Sequence, residues 1–188
     1  MNPYSLLPRP RQEIFELCGR KYMHTDKTNA MRALDRAKTE YTAHTFLPGG
    51  RTLSPEEAPS GVEAAAMLGI PAERVFKTLV TVGKSLAHYV FVIPVAEELD
   101  LKKAARAVGE KSVEMVKSRE LLPLTGYVHG GCSPLGMKKQ FVTVIDESVL
   151  SLPTFLFSAG RIGVQIETSP EGLARALRYT TADLVKDR

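Results

Sequence analysis

Two β-rich runs separated by almost nothing constrain this chain most. Val75 to Val82 and Tyr89 to Val95 are dense in β-branched and aromatic residues, and only a short stretch around Gly83-Lys84-Ser85 divides them. A connection that short closes an antiparallel hairpin and leaves no room for the helix a parallel crossover needs. Further strands are expected at Tyr41–Phe46, Val113–Val116, Phe141–Ile145, Thr154–Phe157 and Ile162–Ile166. Helices are expected between them. The first runs from an N-cap at Thr25 or Asp26 to about Lys38, with Met31 and Leu34 facing inward. A second follows the Ser60/Glu63 capping box and stops at Gly69. A third spans Leu99–Val108, a short helical turn covers Arg119–Leu122, and a last helix runs from Ser169-Pro170 to about Tyr179. Hairpins with irregularly interleaved helices predict an α/β fold of the α+β type, built on a mixed sheet.

The 188 residues suit one domain with its own core. Residues 1–26 read as an appendage, broken by Pro3, Pro8 and Pro10, with a short helix predicted over Gln12–Cys18. The domain proper is taken as 27–188. The net charge of +4 is concentrated at the start. Residues 1–38 hold eight basic side chains against four acidic ones, and the other 150 residues carry 17 of each sign. Such a basic end suits a phosphate backbone, although charge alone favours a solvated helix face. No apolar run is long enough to span a membrane. The first residues have no signal-peptide pattern, and the two cysteines, Cys18 and Cys132, are far apart. A reducing cytoplasmic setting is expected.

Three places stand out chemically. Strand alternation puts Lys77 on the side of Val75 and Leu79, where an ammonium among apolar neighbours must find partners or shift its pKa. From this strand alone, a lysine reaching out to solvent is the favoured reading. The second is Gly126-Tyr-Val-His-Gly-Gly-Cys-Ser-Pro-Leu-Gly136, whose glycines permit positive φ and close approach to a ligand. Its N–H groups could form an oxyanion nest, or the segment could be a plain connector. The third is Ser158-Ala-Gly-Arg-Ile-Gly163, read as a turn between strands, followed by Gln165 as a polar residue within a strand. Zinc-ligand spacing, a serine-hydrolase elbow and nucleotide-binding glycine motifs are absent. Cys132 reads as an inert packing residue. No metal or other cofactor is expected.

Taken in order, Val75-Phe76-Lys77-Thr78-Leu79, Pro94-Val95, Leu99-Asp100-Leu101-Lys102-Lys103, Gly126-Tyr127, Gly130-Gly131-Cys132-Ser133-Pro134-Leu135-Gly136 and Ser158-Ala159-Gly160 resemble the YbaK-like Cys-tRNA(Pro) deacylases. These are related to the editing insertion domain of bacterial prolyl-tRNA synthetase. The resemblance covers about residues 27–180. It implies a compact, partly barrel-like mixed sheet flanked by helices and the hydrolysis of mischarged tRNA, chiefly Cys-tRNA(Pro). It makes Lys77 the signature site residue, with Gly130 and Gly131 beside it in the catalytic role. It implies substrate contacts at Phe46, Thr78, Ser133, Ser158, Gly160 and Gln165. Some relatives carry a carboxylate at the position of Gln165 and Tyr at that of Phe46. The mechanism implied uses the substrate's own thiol. The partners implied are aminoacyl-tRNA, at its 3′-terminal nucleotide and ester, and a transient complex with prolyl-tRNA synthetase. A monomer or homodimer with no membrane partner is expected. A deacylase for Ala- or Ser-tRNA and a non-catalytic tRNA- or synthetase-binding module are the alternatives.

Overall fold

The computed structural model describes residues 27–47 and 53–187. The helix expected over Gln12–Cys18, the basic extension 1–26 and the Pro48-Gly49-Gly50 loop opening lie outside them. In chain order the elements are α1 (Asn29–Arg36), β1 (Thr42–Thr45), α2 (Gly61–Leu68), a 3-10 turn (Ala72–Arg74), β2 (Phe76–Gly83), β3 (His88–Pro94) and α3 (Leu101–Val108). There follow β4 (Val113–Met115), α4 (Ser118–Thr125), β5 (Val142–Asp146), a second 3-10 turn (Glu147–Ser151), β6 (Phe155–Arg161), β7 (Val164–Thr168), α5 (Pro170–Ala176) and β8 (Thr180–Ala182).

The hairpin forms as its sequence requires, with Lys77 opposite Ile93 and Val80 opposite Val90. It is the centre of a five-stranded mixed sheet ordered β4-β2-β3-β5-β8, in which β5 and β8 run parallel to their neighbours. A separate antiparallel sheet is ordered β1-β7-β6. The two sheets meet at one parallel bridge, Val75↔Leu156. Both contribute to the largest core cluster, which joins Phe76 and Val80 to Phe155, Phe157 and Ile166 beneath Met31, Leu34 and Leu173. Each such side chain contributes about 1.5–3 kcal/mol on burial. The edge-on pair Phe76–Phe155, with ring centroids 5.2 Å apart, ties one sheet to the other. A second cluster (Phe91, Ile93, Ala104, Val144, Leu184) fills the other face of the five-stranded sheet. A third (Ala65, Val75, Val95, Leu156) lies at the junction.

Local signals set several boundaries. Ser60 and Glu63 make both bonds of the capping box, and Gly69 ends α2 at φ 67°. Other expectations are corrected. The first helix starts at Asn29 because Thr28 is its cap, its hydroxyl accepting from the Met31 N–H. The helical turn at Arg119 extends to Ser118–Thr125 and includes Pro123. The last helix stops at Ala176, where Leu177 turns extended, and Thr180–Ala182 becomes β8, a strand the sequence did not reveal. The β-branched Thr180 and Thr181 pair there with Val144 and Ile145 of β5. Ser158–Arg161 is the end of β6 with a bulge, and the turn shrinks to Ile162-Gly163.

Candidate active site

Register places four of the singled-out residues, Lys77, Ser158, Gln165 and Phe46, on one face. On β7, Glu167 pairs with Thr42 of β1 and Leu156 of β6, and Leu156 bridges to Val75. Two residues along, Gln165 pairs with His44 on one side and Ser158 on the other. Lys77 lies two residues beyond Val75, and Ser158 two beyond Leu156. Alternation therefore turns Lys77, Ser158, Gln165 and His44 to the same face. Phe46, whose N–H donates to the Gly163 carbonyl at 3.2 Å, continues β1 on that face by the same alternation. Thr78 points the other way, with Phe76 and Val80, so any part it takes in the site comes through its backbone. Its hydroxyl is buried without a hydrogen-bond partner.

Lys77 is half-buried, and its Nζ donates to the Val95 carbonyl at 3.1 Å. Burial pushes its pKa down, and the more distant Glu98 and Glu97 only partly oppose this. The choice left open by strand alternation falls on the side of a desolvated amine. Gln165 also carries an unsatisfied atom on this face, its buried Oε1 having no partner among the described residues. A buried acceptor without a donor is costly and suits a ligand that brings one.

The glycine loop abuts the β6–β7 turn. A Cβ at Gly131 would sit 3.2 Å from the Ile162 nitrogen, and one at Gly130, whose φ is 78°, would lie 2.7 Å from Ala58 Cβ. Gly130 is exposed, whereas the Gly131 N–H is already bonded to the Val128 carbonyl at 3.1 Å. The nest therefore cannot use both N–H groups as this loop stands. Tyr127 links the loop to β6. Its hydroxyl donates to the Leu135 carbonyl at 2.7 Å, and its ring lies against Gly160, where any Cβ would be 2.6 Å from Cε1. The Gly160 N–H donates to Ser158 Oγ, which shapes the bulge. Ser133 is wholly buried, its Oγ accepting from the Leu135 N–H, and so braces the loop from within. Cys132 is 8% exposed, and burial pushes its thiol up to about 12. It is no thiolate nucleophile at neutral pH.

Sequence reading missed a charged network beside this row. Glu167 Oε1 accepts from Arg74 at 2.7 Å and from the Thr154 hydroxyl at 2.6 Å, and Oε2 is 2.7 Å from His44 Nε2. Arg74 also donates to Thr154 at 2.6 Å. Burial alone would raise the Glu167 pKa, but the bonds from Thr154 and His44 and the nearby charges hold it below the usual carboxylate range. The available signal was the polar alternation Gln165, Glu167 along β7. The partners came from segments too distant to foresee.

The fold and this face define a small mixed α/β protein that offers a half-buried amine and an unsatisfied amide on one wall, with an exposed glycine at the adjoining β6–β7 turn. Residues 55–176 match the aminoacyl-tRNA editing domain family. The chain is 46% identical over 147 residues to EbsC of Enterococcus faecalis, named as a Cys-tRNA(Pro)/Cys-tRNA(Cys) deacylase, covering 78% of this chain and 86% of that protein. It is 27% identical over 97 residues to a proline–tRNA ligase of Pelobacter propionicus, covering 52% of this chain and 17% of the ligase. A solved structure described as a trans-editing enzyme for prolyl-tRNA synthetase superposes with a TM-score of 0.71 at 26% identity, over 85% of this chain and 96% of that one. The chain belongs to the aminoacyl-tRNA editing domain family.

Proposed function

We propose that this protein is a trans-editing hydrolase that clears cysteine from mischarged Cys-tRNA(Pro). The observation that carries the reading is the shared face of Lys77, Ser158 and Gln165, with the glycine loop set against the adjoining β6–β7 turn. The similarity to EbsC supports cysteine as the amino acid. In this reading Lys77 holds the phosphate or ribose of the 3′-terminal nucleotide. Gln165 Oε1 accepts a hydrogen bond from the substrate's ammonium group. The Gly130 N–H faces the developing oxyanion, while Gly131 supports the turn. Phe46, Ser158 and Gly160 wall the amino acid.

An aminoacyl ester is already activated, so orientation and charge stabilisation supply much of the rate. The substrate's own sulfur attacks the ester carbonyl carbon. The bond from that carbon to the ribose oxygen breaks, and the thiol's proton ends on the released ribose hydroxyl. The product is the cyclic cysteine thiolactone, which water then opens. This chemistry separates cysteine from proline or alanine better than a small pocket can, since one methylene is worth about 1–3 kcal/mol. The similarity to a proline–tRNA ligase supports a transient complex with prolyl-tRNA synthetase as the source of tRNA choice, with the work done in the cytoplasm. Among the described residues, no helix is long and apolar enough to cross a membrane.

The test is a panel of Cys-, Ala-, Ser- and Pro-tRNA(Pro). Turnover should be selective for cysteine and lost when the thiol is replaced by a group of similar size. Preferred turnover of Ala- or Ser-tRNA would change the substrate, equal rates without the thiol would remove substrate assistance, and tight binding without turnover would make the chain a binding module.

A further inference from the structure

No step above uses the network around Glu167, yet it occupies the row next to the site. Its four side chains come from four segments: Arg74 from the 3-10 turn, Thr154 from just before β6, Glu167 from β7 and His44 from β1. It is partly sheltered, with side-chain exposures of 32% for Arg74, 22% for Glu167 and 13% for His44. An isolated exposed ion pair would mean little. Here one carboxylate receives three partners, and such networks fix relative geometry more than they add stability.

The geometry that needs fixing is the start of β2. Arg74 immediately precedes Val75, and Lys77 follows three residues after Arg74. Beyond core packing, the backbone bridge joining the two sheets at this edge among the described residues is Val75↔Leu156. Glu167 is paired directly with Leu156 on β6. It thus sits one strand from the bridge, holds the residue that leads into β2 and also holds His44, which pairs with Gln165.

We propose that Glu167 is a positioning residue for aminoacyl-ester hydrolysis: its carboxylate clamps Arg74 and His44 so that Lys77 on one sheet stays in register with Ser158 and Gln165 on the other. The inference rests on the deacylase reading above. The carboxylate touches no reacting atom. It acts through the placement of β2.

The test is single-turnover and steady-state deacylation of Cys-tRNA(Pro) by full-length protein, well below each variant's Tm. Glu167→Ala should lower kcat at least tenfold and move KM less than threefold. Arg74→Ala should do the same, and the double variant should lose no more than the worse single one, because both remove one clamp. Glu167→Gln, whose amide oxygen can still accept from Arg74 and Thr154, should recover part of kcat. If Glu167→Ala does not fold, Glu167→Gln and Thr154→Val carry the measurement. A lowered Tm with unchanged kcat, or additive losses, would overturn the clamp. Wild-type protein inactive on every ester would sink the deacylase reading instead. The clamp is then judged by NMR titration of the Lys77 amine, which should move towards the ordinary lysine value in Glu167→Ala. An unmoved titration would overturn it.

Discussion

Two lysines of this protein are tethered in the same way and left in opposite electrostatic states. Lys103, on α3, donates to the Val185 carbonyl at 2.8 Å and to Asp187 at 2.6 Å, and pairs with Asp183 at 2.8 Å. Its hydrogen bonds to those two carboxylates hold its pKa above the ordinary value. It straps the C-terminal segment to the body of the domain, where Leu99 also bridges to Val185. Lys77 likewise donates to a carbonyl, that of Val95, but has no carboxylate in contact among the described residues, and burial lowers its pKa. Shelter alone therefore does not mark a site lysine. What distinguishes Lys77 is shelter without a contacting carboxylate among the described residues, which supports the proposed contact with an incoming anion or ribose oxygen.

Exchanging the two lysines for methionine should separate these roles most sharply. Lys77→Met is expected to lower kcat/KM about 100-fold or more while leaving Tm within a few degrees, since it removes a desolvated charge. Lys103→Met should lower Tm by several degrees and leave kcat/KM within about twofold below its Tm. Equal activity losses in the two variants would break the comparison. Gln165→Leu comes next, with an expected tenfold rise in KM and a Tm equal to or above wild type, because it deletes an unpartnered buried acceptor. A lowered Tm would mean that the amide already has a structural partner.

The pH dependence sharpens the same contrast. Because the Lys77 pKa is depressed on folding, wild type should gain stability relative to Lys77→Met as pH rises through the folded value towards 10.5, its unperturbed one. Lys103 has the opposite sign. Its contribution is full below 10.5 and is lost as pH rises through its raised folded value. Glu167 should contribute stability above 4.5 that disappears as pH falls through its depressed folded value. Thermal unfolding of each variant against pH reads all three signs. The smallest effect is reserved for the basic start of the chain. Deleting residues 1–24 should weaken tRNA or synthetase binding severalfold at low salt and hardly at all at high salt. Binding unchanged at low salt would remove that role.

Much of this was legible where cause and effect are close in sequence. The β2–β3 hairpin, the Ser60/Glu63 capping box and the Gly69 helix stop all follow from local chemistry. Lys77 was visible as an anomaly, but alternation could not say which face was covered. That depended on Val75 meeting Leu156, a contact between distant segments. The Arg74–Glu167 pair was illegible for the same reason, being 93 residues apart in the chain. The glycine loop could be read equally as an oxyanion nest or as a plain connector. Only the turn geometry revealed that the Gly131 N–H is committed to Val128. β8 was missed because three residues, two of them β-branched, are too few to show an alternation, and only the pairing with β5 makes them a strand.

The most direct test of the account is the affinity of a non-hydrolysable, amide-linked cysteinyl analogue of the tRNA 3′ end for wild type, Lys77→Met and Lys103→Met. The account requires Kd to rise at least tenfold in Lys77→Met and to stay within twofold in Lys103→Met. Equal binding by wild type and Lys77→Met would contradict the claim that Lys77 holds the terminal nucleotide.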